Sequence, residues 1–215
     1  MVSLQPVKAE SLSTQVADKI RQAIFTGELK PGETLRELVL ARKMEVSQAT
    51  VREALSYLET YGLVVRTPNR STAVTSLTAT DIRDRVAIRR ALEVLALADA
   101  AKAATASDWQ EIDACAEAMR RALASGVVAE IWNAERGLCR RLWLASGNAL
   151  LVRMLDQTST PLYALWDGRD IPRVETVDVL LDAVRLGDRD SIDRALAKFL
   201  AAAPEANAAT SGPAA

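Results

Sequence analysis

The chain has 215 residues, enough for one or two domains, and about half of them are hydrophobic, so a stable core is possible. It carries 27 Lys and Arg against 28 Asp and Glu and has no histidine, which excludes imidazole bases, Ser-His-Asp and Cys-His systems and histidine-ligated metals. With two cysteines, no signal-peptide pattern and no apolar run that could span a bilayer, we expect a cytoplasmic protein without a membrane segment.

The charge is distributed unevenly. The first 76 residues hold ten Lys and Arg against eight Asp and Glu, and the remainder holds 17 against 20. A mildly basic N-terminal part on an acidic body permits contact with DNA without requiring it.

The N-terminal part predicts three helices and a small β-hairpin, over residues 1–76. The helices are expected over residues 12–26, 36–43 and 48–60, with Ser11 or Ser13 capping the first and Ser47 the third. Two short strands, at residues 63–65 and 73–74, flank a polar tip at residues 67–71. This order predicts a winged helix-turn-helix.

The rest of the chain shows helical periodicity. Thr78, with Asp81 three residues later, marks the start of a new domain over residues 77–203. We expect helices at 79–103, 106–124, 128–145, 148–166, 172–186 and 189–203, so the protein is mainly α with an all-α bundle of six to seven helices. Residues 204–215 are rich in alanine without an apolar pattern, which predicts a disordered tail.

The segment 46–55 carries the functional signal, because a capped helix with an exposed first turn can enter the major groove end-on. Ser47 caps it, and Gln48, Ala49, Thr50 and Arg52 would face DNA. Gln48 suits adenine, Ala49 and Thr50 suit thymine methyl groups, and Arg52 suits guanine or a phosphate. Alternatively, Arg52 only forms an ion pair with Glu37 or Glu53.

This segment resembles the recognition helix of the GntR family of bacterial transcription regulators. The resemblance extends over the fixed spacings from Ile24 to Val64. We expect further DNA contacts at the wing tip, from Asn69 and Arg70, and from Arg36, which would lie on a solvated face near phosphate without reading bases. Relatives usually carry Arg-Thr-Pro where this chain has Gln48-Ala49-Thr50, so the usual family operator cannot be transferred.

The helical half resembles the FCD effector domain of the FadR-like branch, at residues 89–93, 142–151 and 181–188. Many members bind a metal through one Asp and three His. Aligned on Ser146-Gly147-Asn148 and Gly187-Asp188, those positions here are Glu135, Cys139, Val177 and Phe199. Helical spacing turns all four inward, but Val and Phe donate no ligand atoms, so we expect no metal or other cofactor.

Arg89 lies on the buried face of the first helix of this domain. An unpaired charge there would be costly, so it either binds an acidic ligand or pairs permanently with Glu135 or Glu93. Both readings stay open at this point.

The resemblance implies a homodimer that binds a double-stranded, inverted-repeat operator and represses transcription under control of a small molecule, possibly a carboxylate. A regulator that acts constitutively, with a vestigial pocket, is the alternative. An enzyme using Glu135 is a third reading, disfavoured because no paired acid, nucleophile or phosphate loop accompanies it.

Overall fold

The computed structural model describes residues 11–67, 71–165 and 172–200. The chain divides into two compact units between Ser76 and Leu77. The predictions for Asn69, Arg70 and the tail at 204–215 lie outside the described residues.

The first unit is a winged helix-turn-helix, as its sequence predicts. Its elements in chain order are α1 (Leu12–Phe25), β1 (Thr34–Leu35), α2 (Glu37–Lys43), α3 (Gln48–Thr60), β2 (Val64–Arg66) and β3 (Thr72–Val74). The strands form an antiparallel sheet in the order β1-β3-β2. The sequence predicted only the two-stranded hairpin. Strand β1 was not predicted, because two residues are too few to show the alternating pattern of a strand.

Apolar residues at helical spacing hold this unit together. Ser11 caps α1 by accepting from the Thr14 backbone N–H, and Val16, Ile20 and Ile24 form the buried face. That face packs against α3, whose buried residues are Val51, Ala54, Leu55 and Leu58. Because these residues face the core, the opposite side of α3 is left to solvent.

The second unit consists, over its described residues, of six helices. They are α4 (Ala79–Ala103), α5 (Ala106–Ser125), α6 (Val128–Ala145), α7 (Ala149–Leu165), α8 (Val174–Leu186) and α9 (Arg189–Leu200). Thr78 with Asp81 and Thr105 with Asp108 form capping boxes at the starts of α4 and α5. Among the described residues, none of the helices is long and apolar enough to cross a membrane.

Helix α4 is central, packing against α6, α7, α8 and α9. Small residues such as Ala96 and Ala100 let its neighbours approach, and Leu97 fills the core. Two buried charged residues, Arg89 and Glu93, interrupt this apolar surface one turn apart. They form the centre of the polar cluster described below.

Helix α7 contains a proline that the neighbouring helix compensates. Pro161 has no N–H, so the carbonyl of Gln157 loses its usual partner within the helix. Arg85 Nη1 lies 3.5 Å from the Gln157 carbonyl oxygen and 3.4 Å from that of Thr158. Arg85 on α4 thus supplies the donor that the proline removes.

Candidate functional sites

The start of α3 is exposed and locally fixed. Ser47 Oγ accepts from the Thr50 backbone N–H at 3.0 Å and contacts Thr50 Oγ1 at 2.8 Å. Gln48, Ala49 and Arg52 are exposed, while Thr50 is half-buried. The cap confirms the predicted role of Ser47, and the exposure leaves the proposed reading residues available to a ligand.

Glu37 on α2 links the two exposed polar residues of α3. Its carboxylate accepts from Arg52 Nη2 at 2.9 Å and from Gln48 Nε2 at 3.1 Å. Arg52 therefore forms the ion pair that the sequence left as an alternative to DNA contact. The side chain of Arg52 nevertheless remains 57% exposed, so the pairing does not remove it from the surface.

The electrostatics of this surface favour a charged Glu37. The hydrogen bond from Arg52 lowers the pKa of the Glu37 carboxyl, and the more distant charge of Arg66 acts in the same direction. Arg66 Nη2 also donates to the Arg52 backbone carbonyl at 2.8 Å, tying the wing strand β2 to α3. Glu37 and Arg66 line a concavity of about 560 Å³ that reaches Arg36, which is exposed.

The second site is a buried polar cluster around Arg89, which is only 2% exposed. Its Nε donates to Glu93 Oε1 at 3.1 Å, and its Nη2 lies 2.8 Å from Tyr163 Oη, 3.3 Å from Glu135 Oε1 and 3.5 Å from Cys139 Sγ. Of the two readings that the sequence left open, the structure displays the internal pairing, and it involves both Glu93 and Glu135.

The cluster contains one guanidinium and two carboxyl groups. Burial raises the pKa of Glu93 and of Glu135, although Arg89 opposes the rise. Burial would lower the pKa of Arg89, but the surrounding acidic groups outweigh it and hold that pKa well above its ordinary value. Arg89 therefore stays protonated and positively charged, whereas ionisation of both carboxyl groups would leave the cluster with one negative charge in excess.

The four positions that align with the metal ligands of relatives all point inward, as their helical spacing predicts. Glu135, Cys139, Val177 and Phe199 are all buried. Val177 and Phe199 offer no donor atoms, burial raises the pKa of the Cys139 thiol, and the Arg89 guanidinium occupies the space beside Glu135 and Cys139. These residues do not fit a divalent metal ion.

Replacing Glu135 with glutamine tests the excess of carboxyl groups. Because the pKa of Glu135 is raised in the folded state, protonation of its carboxyl group stabilises the fold. This contribution is complete below the pKa of the unfolded chain, near 4.5, and is lost as pH rises through the folded-state pKa. We expect Glu135→Gln to match or exceed the wild type in unfolding free energy at neutral pH, with the gain shrinking toward pH 4.5. Denaturant titrations at several pH values measure this.

Glu117→Gln serves as the control, since Glu117 is exposed on the surface of α5. The stability change in this variant should not depend on pH in this way. A large loss of stability in Glu135→Gln at every pH would show instead that Glu135 is ionised and required by Arg89.

Sequence reasoning missed two members of the cluster. Tyr163 contacts Arg89 by a hydrogen bond and also by its ring face, with 5.0 Å between the guanidinium carbon and the ring centroid. Trp143 donates from Nε1 to Glu93 Oε1 at 3.2 Å. No spacing rule connects residues this far apart in sequence to Arg89.

The first unit and the exposed start of α3 define the class of winged helix-turn-helix DNA-binding regulators. The chain belongs to the GntR family: residues 12–74 match "Bacterial regulatory proteins, gntR family", and residues 84–202 match the FCD domain. It is a DNA-binding transcription regulator with an FCD effector domain, and its similarity to both families agrees with the resemblance seen in its sequence.

Individual relatives are regulators too. The chain is 25% identical over 202 residues to McbR of Escherichia coli, covering 90% of this chain and 91% of McbR. It is 29% identical over 207 residues to the probable D-xylose utilization operon transcriptional repressor of Paenarthrobacter nicotinovorans, covering 94% and 91%. YdhC of Bacillus subtilis is 39% identical over 83 residues, which span 39% of this chain and only 37% of YdhC.

A solved structure supports the same fold. The structure of E. coli McbR/YncC superposes with a TM-score of 0.73 at 25% identity, covering 90% of this chain and 95% of that one. The similarity therefore includes both units rather than the DNA-binding unit alone.

Proposed function

We propose that this regulator is a ligand-responsive repressor that binds an inverted-repeat operator as a homodimer in the cytoplasm. The observation that carries the DNA contact is the exposed, Ser47-capped start of α3, with Gln48, Ala49 and Arg52 toward solvent. The repressor role rests on the similarity to the probable D-xylose utilization operon repressor of Paenarthrobacter nicotinovorans.

The effector that we propose is a neutral molecule. An organic acid at Arg89 was one of the two readings of the sequence, but a carboxylate there would have to displace Glu93 or Glu135 from the guanidinium. It would also add a negative charge beside two buried carboxyl groups, which is unfavourable at low dielectric. A neutral ligand avoids both costs.

A mobility-shift assay on the DNA upstream of the protein's own gene tests this function. D-xylose and D-xylonate form a matched pair of probes, since they differ in the carboxylate and one relative's name refers to D-xylose utilization. Weaker DNA binding with the sugar supports the proposal, and an effect confined to the acid restores the organic-acid reading. No effect, and no rise in melting temperature, from a wider panel of sugars and acids favours the constitutive alternative.

We also propose that the protein holds no metal. The reason is the donor set: one buried carboxyl and one protonated thiol around a guanidinium cannot replace four ligands. Elemental analysis of the purified protein checks this. A stoichiometric metal that survives dialysis and is lost in a Glu135→Ala, Cys139→Ala double variant contradicts it.

The homodimer has a candidate surface on the helical unit. Helices α4 and α7 pack together, and each exposes apolar residues at helical spacing, Ile88 and Leu95 on α4 and Leu150 and Met154 on α7. Apolar surface of this kind is typical of stable interfaces between subunits. We therefore place the contact with a second copy of this chain here.

Replacing Ile88 with arginine should dissociate the dimer without unfolding the protomer. Ile88 is 53% exposed, so the charge of the introduced arginine would be buried only at the interface. Sedimentation should show a dimer for the wild type and a 23.3 kDa species for the variant. Leu186→Arg, on α8, is the control and should remain dimeric. A wild type that sediments only as a monomer at micromolar concentration contradicts the dimer itself.

A further inference from the structure

A single carboxylate joins the two helices of the helix-turn-helix. Glu37 is the first residue of α2, and its Oε2 accepts from Gln48 Nε2 at 3.1 Å and from Arg52 Nη2 at 2.9 Å. Arg52 Nε also donates to both oxygens, at 3.1 and 3.3 Å. Gln48 and Arg52 lie one turn apart on α3, so one side chain of α2 holds both in a fixed arrangement.

The chemistry of the carboxylate fixes which atoms the two side chains present outward. An ionised carboxylate only accepts hydrogen bonds, so Gln48 must turn its amide nitrogen toward Glu37 and its carbonyl oxygen away. Arg52 directs its Nε–Nη2 edge to Glu37, which leaves the edge formed by its two terminal nitrogens for another partner. The outward group of Gln48 is therefore an acceptor, and that of Arg52 is a donor.

Bases differ in what they offer to such groups. In the major groove, adenine and cytosine present an amino group, whereas guanine and thymine present acceptor oxygens at the corresponding edge. An outward carbonyl oxygen pairs with the amino group and repels the acceptor oxygen. Gln48 held in this orientation selects adenine or cytosine.

We propose that Glu37 is a positioning residue for DNA reading, which orients Gln48 so that it selects a base with a major-groove amino group. This rests on the proposed entry of α3 into the major groove. Glu37 is itself only 21% exposed, and in this role it acts through Gln48 and Arg52 rather than by touching a base.

Base preference separates this role from a merely structural one. A carboxylate that only stabilised the unit would, when removed, weaken binding to all sequences alike. The test uses the full-length protein, an operator selected from a random DNA library, and all single-base variants of that operator, measured by competitive fluorescence anisotropy at one salt concentration. The variants are Gln48→Ala, Glu37→Ala and Glu37→Gln, with Glu28→Ala as a matched control, since Glu28 pairs with Lys43 in the same unit.

The wild type should prefer adenine or cytosine, on the order of tenfold, at one position per half-site where Gln48→Ala loses the preference. Glu37→Ala should lose the preference at that same position while retaining its melting temperature. In Glu37→Gln the new amide can donate to the Gln48 oxygen, so the Gln48 amide can reverse and the preference should flatten or shift toward guanine or thymine. Glu28→Ala should leave every preference unchanged.

Two failures are distinguishable. If Gln48→Ala alters no base preference, Gln48 does not read DNA, and the proposed placement of α3 is wrong together with the inference. If Gln48→Ala abolishes a preference that Glu37→Ala keeps, the placement stands and the positioning role of Glu37 is overturned. A wild-type preference for guanine or thymine at the Gln48-dependent position overturns it as well.

Discussion

Replacing Arg89 with methionine should lower the free energy of unfolding of the helical unit by about 3–5 kcal/mol at neutral pH, the cost of removing one partner from a buried ion pair. Methionine fills much of the volume but leaves Glu93 and Glu135 buried without a cation. Because protonation relieves that cost, the loss should shrink as pH falls toward the ordinary carboxyl range. Denaturant unfolding followed by tryptophan fluorescence, to which the buried Trp143 contributes, measures it.

The adjacent Arg90→Met provides the control. Arg90 pairs with Asp193 through two bonds of 2.8 Å, but both side chains are more than 40% exposed, so the loss should be at most about 1 kcal/mol. Adding Glu93→Gln and Glu135→Gln to Arg89→Met should recover part of the stability. Equal losses for the Arg89 and Arg90 variants would show that the buried guanidinium does not balance the carboxyl groups.

Much of the architecture was predictable because it depends on local rules. Thr78 and Asp81 satisfy the free N–H groups at the start of α4 within four residues of sequence, so the helix start could be read directly. The same holds for Asn148 and Asp188, which accept from the backbone N–H three residues later. The burial of Arg89 followed from the 3.6-residue period of its apolar neighbours.

The partners of those residues were harder to predict, because they depend on how the helices pack. Glu93, one turn after Arg89, could be named from sequence, whereas Tyr163 meets Arg89 only because α7 crosses α4 at that point. The four hydrogen bonds from Gln48 and Arg52 to Glu37 depend in the same way on the angle between α2 and α3. Alternating hydrophobicity could not reveal β1, since its pairing with β3 fixes it instead.

These two classes of information bear differently on function. Local rules identified which residues of α3 face solvent, and that exposure is what DNA contact requires. Tertiary contacts decided how Arg89 is used, and they moved the proposed effector from an acid to a neutral molecule. A residue's chemical type therefore suggested the ligand class, but its hydrogen-bond partners determined whether its charge is available.

Replacing Arg52 with alanine should weaken operator binding between about fivefold and a hundredfold at fixed salt, as expected for the loss of a bidentate guanine contact. The guanidinium is exposed one turn into α3, and its terminal edge is not used by Glu37. Arg121→Ala, which removes an exposed, ion-paired arginine of the helical unit, is the control and should bind as the wild type does.

Arg52→Ala also leaves the Glu37 carboxylate unneutralised at a surface that faces phosphates, so repulsion between this carboxylate and the phosphates is a second cause of weaker binding. The Glu37→Ala, Arg52→Ala double variant separates the two causes: full recovery would assign the effect to Glu37 and contradict a direct contact, whereas a persisting loss assigns it to Arg52 itself. A loss confined to operators that carry one particular guanine identifies a base contact, and a uniform loss with a shallower salt dependence identifies a phosphate contact.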